Sequence, residues 1–275
     1  MDRYAVVGHP VAHSKSPRIH QLFAQQTQQA MSYAAIRAPL TGFAAMAADF
    51  FARGGRGLNV TVPFKADAAA FATVLDASAG RAGAANTLVR QPDGAIAGYN
   101  TDGLGLLREL TGNLGLNLKT KRVLLLGAGG AARGILSPLC SAGVAAVRIL
   151  NRTPGNADAL VVQQPDPAIA RYTEADAAPF DLIINSTSAG LSAQAMAIPD
   201  AVINAGTVCY DMIYGPGAAV FRRWAEVHAA RLFVDGLGML VEQAAEAFFL
   251  WRGVRPRTRE VIETLREELN RNESN

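Results

Sequence analysis

Apolar residues in this chain fall into short runs separated by glycine, proline and polar residues, at spacings that suit strands alternating with helices. Residues 4–7 predict a strand. Residues 17–28 predict a helix, with Ser16 as its cap and Pro17 at its first position, where a missing N–H costs nothing. Residues 57–62 form a short strand ended by Pro63, and the polar start of a helix follows at Phe64-Lys65. Thr87–Arg90 and residues 95–99 flank Pro92-Asp93-Gly94, a hairpin turn.

A second block opens after Lys119-Thr120-Lys121. Arg122–Leu126 is apolar without alternation, as expected of a parallel strand buried on both faces. Glycine-rich sequence and a helix follow, then strands at Ala146–Leu150, 181–185 and Val208–Asp211. Strands separated by helical segments make a doubly wound sheet. Residues 237–251 carry Leu240, Ala244, Ala247 and Phe248 at helical spacing, and 257–269 form an amphipathic last helix. These two helices follow the last sheet strand and could pack back on the first block, making that domain discontinuous; periodicity alone leaves this open.

Composition narrows the class. The chain has 275 residues, half of them hydrophobic, enough for one large core or two moderate ones. Its 26 basic and 23 acidic residues balance to +3, too little for a nucleic-acid surface. Cys140 and Cys209 lie far apart in apolar surroundings without metal-ligand spacing, so they read as buried reduced thiols and no metal is expected. The start of the chain runs directly into a strand rather than a signal peptide, and Arg133 and Arg148 interrupt the best apolar stretch. A cytoplasmic protein that does not enter a membrane is the expectation.

The sharpest local motif is Gly127-Ala128-Gly129-Gly130-Ala131-Ala132, directly after the buried strand. It fits a dinucleotide fingerprint. The first glycine makes a tight turn, the second lets the backbone approach a pyrophosphate, and the small last residue lets helix and strand pack closely. The helix N-terminus then offers free N–H groups to phosphate. At the end of the next strand, NAD-binding versions carry an acid for the ribose 2′-hydroxyl. Here Asn151-Arg152-Thr153 stands in that place, and an arginine fork suits a 2′-phosphate. NADP is therefore the predicted cofactor.

The first block places polar residues where a core would not want them. His13-Ser14-Lys15-Ser16-Pro17 sets two hydroxyls before a helix; Asn59 and Thr61 alternate onto one face, with Lys65 just beyond. Gly83-Ala84-Ala85-Asn86-Thr87 and Tyr99-Asn100-Thr101-Asp102-Gly103 add an amide and a carboxylate. Each has an ordinary explanation: Ser16 as a cap, Asn86 as a turn former, Asp102 as the N-cap of the following helix.

Together these segments resemble the shikimate dehydrogenase family, seven of them in the same order: Ser-Lys-Ser-Pro, Asn-Val-Thr-Val-Pro-Phe-Lys, the segment around Asn86, Asn-Thr-Asp-Gly, the glycine loop, Asn-Arg-Thr, and Asp235-Gly236-Leu237-Gly238-Met239-Leu240-Val241. The resemblance implies two α/β domains, a substrate domain at 1–102 plus 237–275 and a Rossmann-type NADP domain at 103–236, with the active site in the cleft between them. It implies reversible, NADPH-dependent reduction of 3-dehydroshikimate to shikimate, on the route to chorismate and the aromatic amino acids. Lys65 and Asp102 would be the catalytic pair. Ser14, Ser16, Asn59, Thr61, Asn86, Tyr214 and Gln243 would join them in holding substrate, and Gly127, Ala128, Gly129, Gly130, Ala131, Asn151, Arg152, Thr153, Met212 and Gly236 would line the cofactor. The partners expected are small molecules alone, and the protein a monomer or homodimer.

An ammonium aimed at the carbonyl oxygen stabilises the charge that develops there as hydride arrives and can supply the proton. Two departures from the family pattern stand out. Asn156 replaces a second arginine, leaving one cation fewer for a 2′-phosphate, and residues 215–221 lack a Thr-Pro-Phe segment. Rival readings are a relative that oxidises quinate or prefers NAD, a non-catalytic NADP sensor, and a Rossmann domain used only for protein contacts. Ser14, Ser16 and Arg152 favour shikimate and NADP, and the presence of Lys65 and Asp102 disfavours the sensor.

Overall fold

The structure is a computed structural model that describes residues 1–187 and 197–273. The chain divides into two compact units, Met1–Gly105 with Val241–Asn275, and Leu106–Leu240. In chain order the first unit contains β1 (Asp2–Gly8), α1 (Ser16–Gln26), β2 (Met31–Arg37), α2 (Phe43–Ala52), β3 (Gly55–Val60), α3 (Lys65–Phe71), β4 (Val74–Leu75), α4 (Ala77–Ala82), β5 (Thr87–Arg90) and β6 (Ile96–Tyr99). Helix α5 (Asp102–Arg108) leads into the second unit: β7 (Arg122–Leu126), α6 (Gly130–Ser141), β8 (Ala146–Leu150), α7 (Pro154–Gln163), β9 (Ile169–Arg171), β10 (Leu182–Asn185), β11 (Val208–Asp211), α8 (Ala219–Val227) and β12 (Leu232–Val234). The chain returns to the first unit within α9 (Leu237–Arg252) and ends in α10 (Arg259–Glu273).

The first unit is a mixed sheet in the order β2-β1-β3-β5-β6-β4. Strands β1, β2 and β3 run parallel, while β5 pairs antiparallel with β3 and with β6, closing the expected hairpin. Its core joins Val7, Leu58, Val60 and Leu88 from the strands to Phe43, Phe50, Phe51 and Phe64 from the segments packed on them. Gly57 makes room for an indole: a Cβ there would lie 2.2 Å from Trp251 Nε1, which donates to the Leu88 carbonyl instead.

The second unit has six parallel strands in the order β12-β11-β10-β7-β8-β9, the doubly wound arrangement in which β7 and β10 are the central neighbours where strand order reverses. Val123 and Leu125 pack to one side of this sheet and Leu124 and Leu126 to the other, which is why the β7 sequence is apolar without alternation.

Several boundaries differ from the sequence expectation. Ser16 is the first residue of α1 and not its cap; the Ser14 hydroxyl accepts the Ser16 N–H at 3.2 Å. Asp102 likewise opens α5 from inside, with its own N–H held by Asn100 Oδ1 at 3.2 Å. Strand β3 stops at Val60, so Thr61 stands beyond the alternation that was to place it beside Asn59. Cys209 is buried, but Cys140 only partly, and both are free thiols. Among the described residues no helix is long and apolar enough to cross a membrane, and no cluster of metal ligands occurs.

Candidate active site

In the first unit, side chains from four separate segments meet in one place. Lys65 opens α3, its carbonyl accepting the Ala85 N–H at 2.8 Å, and Asp102 opens α5. Their side chains meet: Lys65 Nζ donates to Asp102 Oδ2 at 2.6 Å, with roughly a quarter of the lysine side chain and a tenth of the aspartate exposed to solvent. The second carboxylate oxygen, Oδ1, accepts from Asn86 Nδ2 at 2.8 Å. Both oxygens of Asp102 thus have donors, one charged and one neutral. The pair is largely shielded yet still reachable from solvent.

Asn86 is held from the other end. Its Oδ1 accepts the Thr101 backbone N–H at 2.9 Å and the Thr87 hydroxyl at 3.0 Å. A backbone N–H can only donate, so it opposes a turn of the amide and favours Nδ2 on Asp102. Gln243, on α9, joins the cluster with Oε1 at 3.4 Å from both Asn86 Nδ2 and Thr101 Oγ1. Close to its neighbour in the fold, Gly105 leaves room for that helix: a Cβ at 105 would fall 2.7 Å from the Gln243 backbone nitrogen.

Of the other residues expected at the substrate, Ser14 is half-buried and Ser16 buried at the start of α1. Ser16 lies against Tyr33, whose phenol burial pushes well above its ordinary range while the serine hydroxyl opposes that shift. Thr61 directs its methyl group towards Gly8, where a Cβ would approach to 2.5 Å. Asn59 has its amide committed to other side chains of this unit. It is buried, with Oδ1 accepting from Tyr33 Oη at 2.7 Å and His20 Nε2 at 3.1 Å, and Nδ2 donating to Thr87 Oγ1 at 3.1 Å. Its amide is fully occupied inside the core. Thr87, Thr101, His20 and Tyr33 carry no expected role; Thr87 and Thr101 stand in the motifs around Asn86 and Asp102, whereas His20 and Tyr33 carry no local signal.

The second unit supplies a separate set. Gly127 follows β7 with φ +99°, a left-handed turn that a side chain disfavours, and a Cβ there would lie 3.0 Å from Ser186 Oγ. Among the described residues, nothing lies within 4 Å of a Cβ added at Gly129 or Gly130, so these residues leave the backbone entering α6 open for a ligand to approach. At the end of β8, Asn151 Nδ2 turns back onto the Thr153 carbonyl at 2.8 Å, and Arg152 is exposed with no hydrogen-bond partner among the described residues. Glycine loop and arginine therefore stand at the carboxyl ends of adjacent strands, where this fold receives a dinucleotide.

Met212 and Gly236 are also neighbours. A Cβ at 236 would lie 2.3 Å from the Met212 carbonyl oxygen, and Gly236 N–H bonds Ile213 O at 3.0 Å. Two buried aspartates brace this loop. Asp211 Oδ1 accepts from Ile213 N–H at 2.9 Å and Asn185 Nδ2 at 3.2 Å, and Asp235 Oδ2 accepts from Gly215 N–H at 3.2 Å. Burial pushes the Asp211 carboxyl up to about 6, and the nearby Asp235 charge pushes the same way. Tyr214 lies in this loop, its phenol raised by burial and then by Asp235.

Three family models match the chain: the shikimate dehydrogenase substrate binding domain over residues 6–88, shikimate / quinate 5-dehydrogenase over 109–197, and the shikimate 5′-dehydrogenase C-terminal domain over 236–266. A shikimate dehydrogenase (NADP(+)) of Alkalilimnicola ehrlichii is 50% identical over 269 residues, covering 97% of this chain and 99% of its own. The chain belongs to the shikimate dehydrogenase family. A second NADP(+) member, from Chromohalobacter salexigens, is 52% identical over 271 residues, covering 98% and 99%. Among solved structures of the family, the Thermus thermophilus shikimate 5-dehydrogenase in complex with NADP(H) and shikimate superposes with a TM-score of 0.86 at 35% identity, covering 97% of this chain and 99% of that one.

Proposed function

We propose that this protein reduces 3-dehydroshikimate to shikimate with NADPH, reversibly, and that the first unit binds the substrate while the second binds the cofactor. The observation that carries this reading is the Lys65–Asp102 pair, 2.6 Å apart and braced by Asn86. NADPH, when bound, supplies the hydride.

The chain's own groups account for the rest. Lys65 Nζ has donors to spare beyond the one given to Asp102. It stabilises negative charge arising on the C3 oxygen and passes a proton to it. Asp102 holds the ammonium in place and, through its remaining lone pairs, accepts from a neighbouring ring hydroxyl. In the reverse direction the amine takes the alcohol proton. Gln243 and Asn86 add amide contacts to hydroxyls, and Ser14, Ser16 and Thr61 hold the carboxylate. Such a site rejects an analogue lacking a hydroxyl, because a buried polar group is then left unpaired.

The cofactor residues fit NADP. Gly129 and Gly130 leave the pyrophosphate a bare backbone, and Arg152 offers an uncommitted guanidinium to the 2′-phosphate. With Asn156 in place of a second arginine, that single cation carries most of the preference over NAD.

The test is NADPH oxidation followed by absorbance with equal concentrations of 3-dehydroshikimate and 3-dehydroquinate, repeated with NADH. Turnover of the first acid with NADPH, well above the other combinations, is expected. Preferential turnover of 3-dehydroquinate, or none with either acid, overturns the reading.

A further inference from the structure

Behind Asp102 lies a chain of side chains whose hydrogen bonds have only one consistent direction. It starts in the core of the first unit. Asn59 Nδ2 lies 3.4 Å from the Asn86 carbonyl oxygen, which can only accept, so that end of the Asn59 amide must be the nitrogen. Asn59 Oδ1 then faces Tyr33 Oη and His20 Nε2, and both must donate to it. The same Nδ2 donates to Thr87 Oγ1, the residue opposite Asn59 across the β3–β5 ladder. A hydroxyl has a single hydrogen, and Thr87 spends it on Asn86 Oδ1 at 3.0 Å.

From these contacts we infer that Asn59 and Thr87 are positioning residues for the reaction: Tyr33 and His20 orient Asn59, Asn59 orients the Thr87 hydroxyl, and Thr87 helps to hold the Asn86 amide with its nitrogen on Asp102. This rests on the function proposed above. Its physical content is directional. If Asn86 turned over, it would set an oxygen against the Asp102 carboxylate in place of a donor, and the carboxylate would be free to swing off the line that holds Lys65. The Thr101 N–H already opposes that turn, and Thr87 supplies a second, independent restraint. Asn59 thereby acts through two other residues on a carboxylate it does not touch. That accounts for a buried amide, apart from the substrate groups, with both of its ends occupied.

The test removes the hydroxyl and keeps the shape. Thr87→Val is expected to lower kcat roughly three- to tenfold, the range of one lost hydrogen bond, with the KM for NADPH unchanged. Thr87→Ser restores kcat to within about twofold, since it returns the donor. In an Asn86→Ala background, Thr87→Val has no further effect on kcat, because the group through which it acts is gone. Thr87→Ala removes the same hydroxyl without an added methyl and serves if the valine variant does not fold. A readout independent of turnover is the side-chain amide resonance of Asn86, which shifts in Thr87→Val and not in Thr87→Ser. A wild-type kcat in Thr87→Val, or an equal loss in the Asn86→Ala background, overturns the inference. A wild-type protein inactive on 3-dehydroshikimate, with the amide shift still present, would instead overturn the proposed function.

Discussion

Asn86 and Asp102 are joined by a 2.8 Å hydrogen bond on the side of the carboxylate opposite to Lys65, so a neutral donor and a charged one share a single acidic group. An ammonium clamped by a carboxylate that is itself clamped is a rigid source of positive charge, which electrostatic stabilisation of a developing oxyanion requires.

Removing the ammonium tests this first. Lys65→Ala is expected to reduce kcat by about two to four orders of magnitude, as for loss of a positioned acid–base group. The dissociation constant for NADPH, measured by fluorescence titration, stays close to the wild-type value, because Lys65 belongs to the first unit and the glycine loop to the second. Near-normal turnover would remove Lys65 from the mechanism.

The glycine loop makes a different prediction. Among the described residues nothing lies within 4 Å of a Cβ at Gly129, and its backbone is extended there with φ −88°. Gly129→Ala therefore leaves the melting temperature unchanged while weakening NADP binding, since the methyl occupies the approach of the pyrophosphate. Gly236→Ala contrasts with it: its Cβ would stand 2.3 Å from the Met212 carbonyl, so the variant loses stability as well as affinity. Calorimetric melting and titration of both variants separate the two cases.

Arg152 is the proposed seat of the cofactor preference. Arg152→Ala is expected to weaken NADP binding roughly ten- to hundredfold, the worth of a hydrogen bond to a charged group, and to leave NAD binding almost unaltered. Equal losses for both cofactors would place the arginine elsewhere than at the 2′-phosphate.

Acid should act on the two units in opposite senses. Burial lowers the His20 imidazole to about 3, below the 6.5 of an exposed one, against the pull of its bond to Asn59. Between those values the unfolded chain holds the proton and the folded one does not, so the first unit loses stability as pH falls through that window, by up to about 5 kcal/mol. Asp211 is raised from 3.8 to about 6, chiefly by burial. There the folded state holds the proton, so this group's contribution is complete below pH 4 and is lost as pH rises to 6, by about 3 kcal/mol at most. Unfolding of His20→Gln against pH should show a flatter slope between 4 and 6.5, and Asp211→Asn a gain at pH 8 relative to wild type that vanishes at pH 4. Parallel pH profiles for each variant and wild type would refute these assignments.

Some of this protein could be read straight from the order of its residues. Arg122–Leu126, the glycine turn and Ala146–Leu150 have the bounds expected from sequence, because an apolar run, an alternating run and a glycine turn are each dictated by neighbouring residues. Strands β2, β4, β9 and β12 had no such signature. β2, β4, β9 and β12 lie at the outer ends of their sheets, where exposed residues such as Ser32 and Ala34 satisfy a strand without an apolar pattern.

Motifs of contiguous residues therefore carried the resemblance to the family and pointed to the cofactor class, since both depend on chemistry that neighbouring residues hold together. Folding alone decided that Lys65 meets Asp102 across 37 positions, that Gln243 returns to them from near the far end of the chain, and that Asn59 turns inward to Tyr33 and His20. The reason is geometric: the direction of a hydrogen bond is fixed by which donors and acceptors surround it, and here those neighbours come from strands and helices remote in sequence.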